Sequence, residues 1–269
     1  MKGIKTLSAV LIALALTAAG VLGSCAKDKD LAGQASAAVV YNTLPVQNDT
    51  LFVVNGVIFS MKKVEGGTFM MGSSADKTAQ PVHEVKLSTF FIGETEVTQE
   101  LYRAVMGSCP SSVAGRNVPV GNVTRYLADA FIARLSALTG ITFCLPTEAQ
   151  WEFAARGGNM SRGYTYSGSN NCSDVAVWTG SEPKPVASKQ ANELGLYDMS
   201  GNMLELCYDG KADYGSNVSV NPIGPMNTNM SVTRGGCYET GRSTCTVYYR
   251  TTLFYDKAWG YNGLRLAIW

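Results

Sequence analysis

Residues 232–269 read VTRGGCYETGRSTCTVYYRTTLFYDKAWGYNGLRLAIW. Arg234-Gly235-Gly236 and Gly263-Leu264-Arg265-Leu266-Ala267 look like parts of a fold-terminating frame, whereas the residues between them are aromatic, threonine-rich and apolar. Thr251-Thr252-Leu253-Phe254-Tyr255-Asp256 has neither helical nor strand periodicity, and glycines flank the whole segment, so it is expected to be loop. A loop that exposes Leu253, Phe254, Tyr255, Trp259 and Tyr261 presents apolar surface that water does not favour. The frame is therefore read as fold and the filling as contact surface.

The chain that leads to this segment has 269 residues, 46% hydrophobic and 16% charged, enough to bury a substantial core. A formal net charge of +1 with dispersed Lys and Arg gives no basic stripe, which argues against a nucleic-acid partner. The single histidine, His83, excludes sites built from several imidazoles. It stands in an alternating run beside Glu84 and reads as a surface or hydrogen-bonded histidine.

Lys2 and Lys5 precede an apolar run from Leu7 to Leu22 that ends in Leu22-Gly23-Ser24-Cys25, an export signal that resembles a bacterial lipobox. That resemblance implies cleavage before Cys25, lipidation of its thiol, and attachment to a membrane by lipid alone. Residues 1–24 are then the signal peptide, 25–50 a polar tether, and 51–269 the folded domain, with a variable segment at about 237–261. The expected location is the outer membrane of a Gram-negative bacterium, facing outward. Cys109, Cys144, Cys172, Cys207, Cys237 and Cys245 remain, and either disulfides or buried free thiols fit that count.

Asn55-Gly56 between Leu51–Val54 and Val57–Phe59 signals a β-hairpin. Pro81–Leu87 alternates as a half-buried strand does and reads as continuing through Phe90-Phe91-Ile92. Thr98 and Thr124 are N-cap candidates for two helices that Gly107 and Gly140 end, the second with Leu127, Ala130, Phe131, Leu135 and Leu138 as its apolar stripe. Thr147 and Gln150 have capping-box spacing before a third helix.

Glu65-Gly66-Gly67-Thr68-Phe69-Met70-Met71-Gly72, Glu96-Val97-Thr98-Gln99, Leu145-Pro146-Thr147-Glu148-Ala149-Gln150-Trp151-Glu152, Gly195-Leu196-Tyr197-Asp198-Met199-Ser200-Gly201-Asn202, Arg234-Gly235-Gly236 and Gly263–Ala267 occur in that order. Together they resemble the formylglycine-generating enzyme, or sulfatase-modifying factor, family over roughly Phe59 to Trp269. The resemblance implies an α+β, C-type-lectin-like fold, loop-rich, with small antiparallel sheets and a few helices. It also implies, in the family's oxidases, copper held by two cysteines spaced five apart after Arg-Gly-Gly. Cys245 falls on the second of these positions but Thr240 on the first, so no catalytic residue, metal or cofactor is assigned and the chain is read as a non-enzyme.

The frame and its placement also resemble the variable proteins of diversity-generating retroelements, lectin-fold binders whose C-terminal region is rewritten at adenines. Tyr, Thr, Leu, Phe, Val and Asp are all reachable from asparagine codons by that route, and Cys237 from a serine codon; Glu239, Lys257 and Trp259 are not so simply reached. The expected contact residues are Tyr238, Glu239, Thr240, Thr244, Thr246, Tyr248, Thr251, Thr252, Leu253, Phe254, Tyr255, Asp256, Trp259 and Tyr261. Their partner is expected to be a protein or glycan on another cell, a phage or a host surface. The competing readings are a family oxidase, with an exposed Cys245 beside a second thiol, and a structural envelope lipoprotein.

Overall fold

The computed structural model describes residues 49–269. Cys25, the signal peptide and nearly all of the tether lie outside the described residues. Strand β1 (Asp49–Val54) and strand β2 (Val57–Val64) form the expected hairpin. Asn55 and Gly56 both take positive φ, 49° and 81°, which gives the turn a twist that matches its strands. Phe52 and Phe59 stack at 5.2 Å across the hairpin, and Phe143 closes over both.

Strand β3 (Gly67–Met71) pairs antiparallel with β4 (His83–Leu87), and β5 (Phe90–Gly93) follows at once. The run from Pro81 to Ile92 is thus two strands in two different sheets, not one. Ser88 and Thr89 make the change possible, because side chains satisfy the backbone at the bend: Ser88 N donates to Asn221 Oδ1 and Gly66 N donates to Thr89 Oγ1. His83 is buried, with Nδ1 3.0 Å from the Pro81 carbonyl and its ring edge-on to Tyr214.

Helices α1 (Gln99–Met106) and α2 (Arg125–Thr139) begin where Thr98 and Thr124 accept from Leu101 N and Leu127 N, and end at left-handed Gly107 and Gly140. The buried face of α2 carries Ala128, Phe131, Ile132 and Leu135; Ala130, expected on it, is exposed. Helix α3 (Glu148–Ala155) opens with the full Thr147–Gln150 capping box, and α4 (Cys172–Val175) is a single turn capped by Asn171.

Strands β6 (Leu204–Gly210), β7 (Ser219–Val220), β8 (Met230–Arg234), β9 (Arg250–Phe254), β10 (Asn262–Leu264) and β11 (Ala267–Ile268) complete three sheets, ordered β1-β2-β5-β11, β10-β6-β8-β9 and β3-β4-β7. The β4–β7 and β6–β10 pairings are parallel, so two of the three small sheets are mixed, while β1-β2-β5-β11 is antiparallel throughout as expected. A second difference concerns Arg250–Phe254: the segment expected as loop is an edge strand in register with β8, Ser231 opposite Leu253 and Met230 opposite Phe254. The terminal Gly263–Ala267 run spans two sheets, β10 joining one and β11 the other.

Candidate functional site

Three buried ion pairs hold the C-terminal segment from below. Arg265 donates to both oxygens of Glu205 at 2.6–3.1 Å and to the carbonyls of Gly93 and Tyr197 at 2.8 Å, while Trp151 Nε1 donates to Glu205 at 2.7 Å. Arg250 makes a two-pronged contact with Glu148, at 2.7 Å on each oxygen. Arg234 pairs with Glu152 and donates to the carbonyls of Val247, Tyr248 and Tyr249. Buried charges are tolerated only when paired and hydrogen-bonded in this way. The motifs that are far apart in sequence therefore converge on one ionic frame.

Above Arg234 the chain turns sharply. Gly235 and Gly236 have φ of 94° and 69°, and a Cβ on Gly236 would stand 2.7 Å from the Thr244 carbonyl oxygen, so only glycine fits there. The turn is tied to itself: Thr240 Oγ1 lies 2.6 Å from Thr244 Oγ1 and accepts from Cys237 N at 3.1 Å. The two threonine hydroxyls expected to orient a ligand are thus committed to the turn.

The same turn holds the position of the family's copper ligands. At the position of the family's first ligand stands the Thr240 hydroxyl, a hard donor, and the Cys245 thiol is fully buried and pushed up to about 12, first by burial and then by the Cys172 thiol beside it. The site thus lacks one of the two soft thiolates that select Cu(I), so these residues do not fit the family's copper centre. Among the described residues, no group of three or more His, Cys, Asp or Glu side chains is placed to hold a metal ion.

Of the fourteen expected contact residues, Tyr238, Thr246 and Leu253 are buried and are corrected to core positions. Tyr238 packs with Val177 and Met203 under Tyr261, and burial followed by the adjacent Glu239 carboxylate raises its hydroxyl to about 12. Leu253 belongs to the cluster of Phe131, Leu206 and Leu264. Tyr248 is half-buried and packs against the cluster around Trp151, and Thr251 and Thr252 are half-buried on β9. Glu239, Phe254, Asp256 and Trp259 are exposed, the two aromatics at 46% and 49%.

The exposed groups gather in two places. Phe254, Tyr255, Asp256 and Lys257 line an open depression of about 450 Å³ together with Tyr126 and Asn229. Tyr126 is edge-on to Tyr255, and the Arg125 guanidinium sits 5.4 Å from the Tyr255 ring centre. Tyr238, Glu239 and Gly260 border a second pocket of about 220 Å³ with Ser111, Ser112 and Pro183, and Trp259 and Tyr261 stack in parallel nearby in sequence. Sequence reasoning missed Tyr126 and Asn229. A signal existed for Tyr126: it is an aromatic just inside α2, off the apolar stripe, and 63% exposed.

Comparison with known proteins accords with this geometry. The chain is 32% identical over 239 residues to chaperone protein LppX of Paenibacillus barcinonensis, covering 69% of this chain and 81% of that one. It is 29% identical over 285 residues to the formylglycine-generating enzyme of Streptomyces coelicolor, covering 76% and 88%. A solved structure of Treponema denticola variable protein 1 superposes with a TM-score of 0.78 at 31% identity, covering 83% of this chain and 99% of that one. The α+β architecture is the C-type-lectin-like fold of these neighbours. With residues 58–268 matching the model for the sulfatase-modifying factor enzyme 1-like domain, the chain belongs to the formylglycine-generating enzyme/sulfatase-modifying factor family.

Proposed function

We propose that this protein is a non-catalytic receptor or adhesin, a variable protein of the diversity-generating-retroelement type, that binds a protein or glycan of another cell, a phage or a host through its C-terminal face. In this reading Cys25 carries the lipid that anchors it to the outer membrane, facing outward. The observation that carries the proposal is that Phe254 and Trp259 are exposed in a segment whose two ends, at Arg234 and Arg265, are held by buried ion pairs. Aromatic side chains give large contact area at low rotamer cost, and the exposed Glu239 and Asp256 carboxylates can orient a partner by hydrogen bonds. The misfit of Thr240 and Cys245 to a copper centre, and the likeness to the Treponema variable protein, support it further.

The test is a screen of the full-length protein on glycan and bacterial-surface-protein arrays beside the Phe254→Ala/Trp259→Ala double variant. The proposal expects at least one array signal that the double variant loses by tenfold or more. Stoichiometric copper uptake with formation of an aldehyde from a peptide cysteine would overturn it.

A further inference from the structure

The misfit at the copper position leaves Cys245 to be explained, and its environment contains a second sulfur from a distant part of the chain. Cys172, the first residue of α4, and Cys245, which closes the 242–244 turn, are both buried in one apolar cluster with Tyr166, Val175 and Ala176. Both side chains belong to that one small cluster, and each thiol bears on the titration of the other. Each backbone is separately fixed: Ala176 N donates to the Cys172 carbonyl at 2.9 Å, and Ser200 Oγ donates to the Cys245 carbonyl at 2.7 Å. The two cysteines thus come from segments far apart in the chain, each held by its own hydrogen bond.

The remaining described cysteines have other surroundings. Cys109 Sγ is 3.3 Å from Ser111 Oγ, Cys144 Sγ is 3.4 Å from the Ala267 carbonyl, and Cys237 Sγ is 3.8 Å from Thr240 Oγ1. Cys207 lies in a different cluster, with Trp151 and Val232. Cys245 Sγ itself lies 4.0 Å from the Gly241 carbonyl, and neither Cys207 nor Cys237 belongs to its cluster.

We infer that Cys172 and Cys245 form a disulfide when the chain folds in the presence of an oxidised disulfide such as glutathione disulfide. One protein thiol loses its proton to solvent and its thiolate attacks the glutathione disulfide, releasing one glutathione thiolate and leaving a mixed disulfide. The second protein thiolate then attacks the protein sulfur of that mixed disulfide and expels the second glutathione. Two protein thiols are oxidised by two electrons and one glutathione disulfide is reduced to two thiols. Burial holds both folded thiols in the neutral form, so the bond closes before the 237–249 turn seats on α4. The cross-link fixes the underside of that turn to the scaffold, so its outward side chains, Glu239 among them, can change without releasing the turn.

The experiment is to refold the full-length protein in a glutathione/glutathione disulfide buffer, alkylate it in denaturant without reductant, and map the peptides. The expected result is a linked pair of Cys172 and Cys245 peptides, with Cys109, Cys144, Cys207 and Cys237 alkylated. Reductant should lower the thermal midpoint of the wild type but leave that of Cys172→Ser unchanged. Alkylation of both Cys172 and Cys245, or a link from either to another cysteine, would overturn the inference. The wild-type map decides the matter even where Cys172→Ser fails to fold, and no ligand is involved, so the result is independent of the binding proposal.

Discussion

Leu253→Ala and Phe254→Ala are neighbouring truncations on one edge strand, and their costs should differ severalfold. Leu253 is 8% exposed and packs with Phe131, Leu206 and Leu264, whereas Phe254 is 46% exposed beside the open depression. Successive residues of a strand face opposite sides, which is how one strand serves both core and surface. Removing a buried leucine side chain loses its transfer free energy and leaves a cavity, about 3 kcal/mol in sum. Truncating a half-exposed phenylalanine forfeits only part of a burial contribution, roughly 1 kcal/mol or less. For a domain of this size each kcal/mol moves the melting temperature by about 2–4 °C, so the Leu253 variant should melt about 6–12 °C below wild type and the Phe254 variant no more than about 4 °C below. Urea and thermal unfolding followed by circular dichroism measure both. Equal losses, or a larger loss for Phe254→Ala, would show that this strand is packed throughout and has no surface face for a partner.

Three further outcomes follow from the frame. Arg265→Ala leaves Glu205 buried without its partner and should destabilise the domain by about 3–5 kcal/mol in urea unfolding. Gly236→Ala puts a Cβ 2.7 Å from the Thr244 carbonyl oxygen at positive φ, and should cost more than about 1 kcal/mol by the same measurement. Asp198 is raised to about 6, chiefly by burial, above an unfolded value near 3.8. Its folded form therefore holds a proton that the unfolded form releases, and stability falls as pH rises from about 4 to 6. Asp198→Asn keeps an acceptor for Ala187 N, which the Asp198 carboxylate binds at 2.7 Å, and suits the positive φ of 59°. It should flatten that slope in pH-dependent denaturation and raise stability at pH 7.

Much of the frame was legible because its signals are local. The Asn55-Gly56 turn, the threonine caps, the capping box and the closing glycines each act within four residues, and all fold as read. Charged residues of the ordered motifs, Glu148, Glu152, Arg234 and Arg265, all stand in the buried ion pairs, two of which draw in Arg250 and Glu205 from outside the motifs. Partnerships set by the third dimension were not legible. Whether Phe90 continues the strand of Leu87 depends on Asn221, which is 133 residues from Ser88. β9 escaped detection because only Leu253 of its five residues is fully buried, which erases alternation at a sheet edge. Tyr238 looks in sequence like any other aromatic of the segment, yet the turn at Gly235-Gly236 sends it inward. The surface also draws on Tyr126 and Asn229, which no reading confined to the C-terminal run could include.

The claim that the C-terminal face contacts the partner is tested most directly by site-specific photocrosslinking. A benzophenone amino acid is placed singly at Phe254 or Trp259, and for comparison at the exposed positions Ile58 and Met160, in full-length protein incubated with an array-identified target. The account predicts crosslinks from 254 and 259 and none from 58 or 160. Crosslinks from Ile58 or Met160, with none from the C-terminal face, would contradict it.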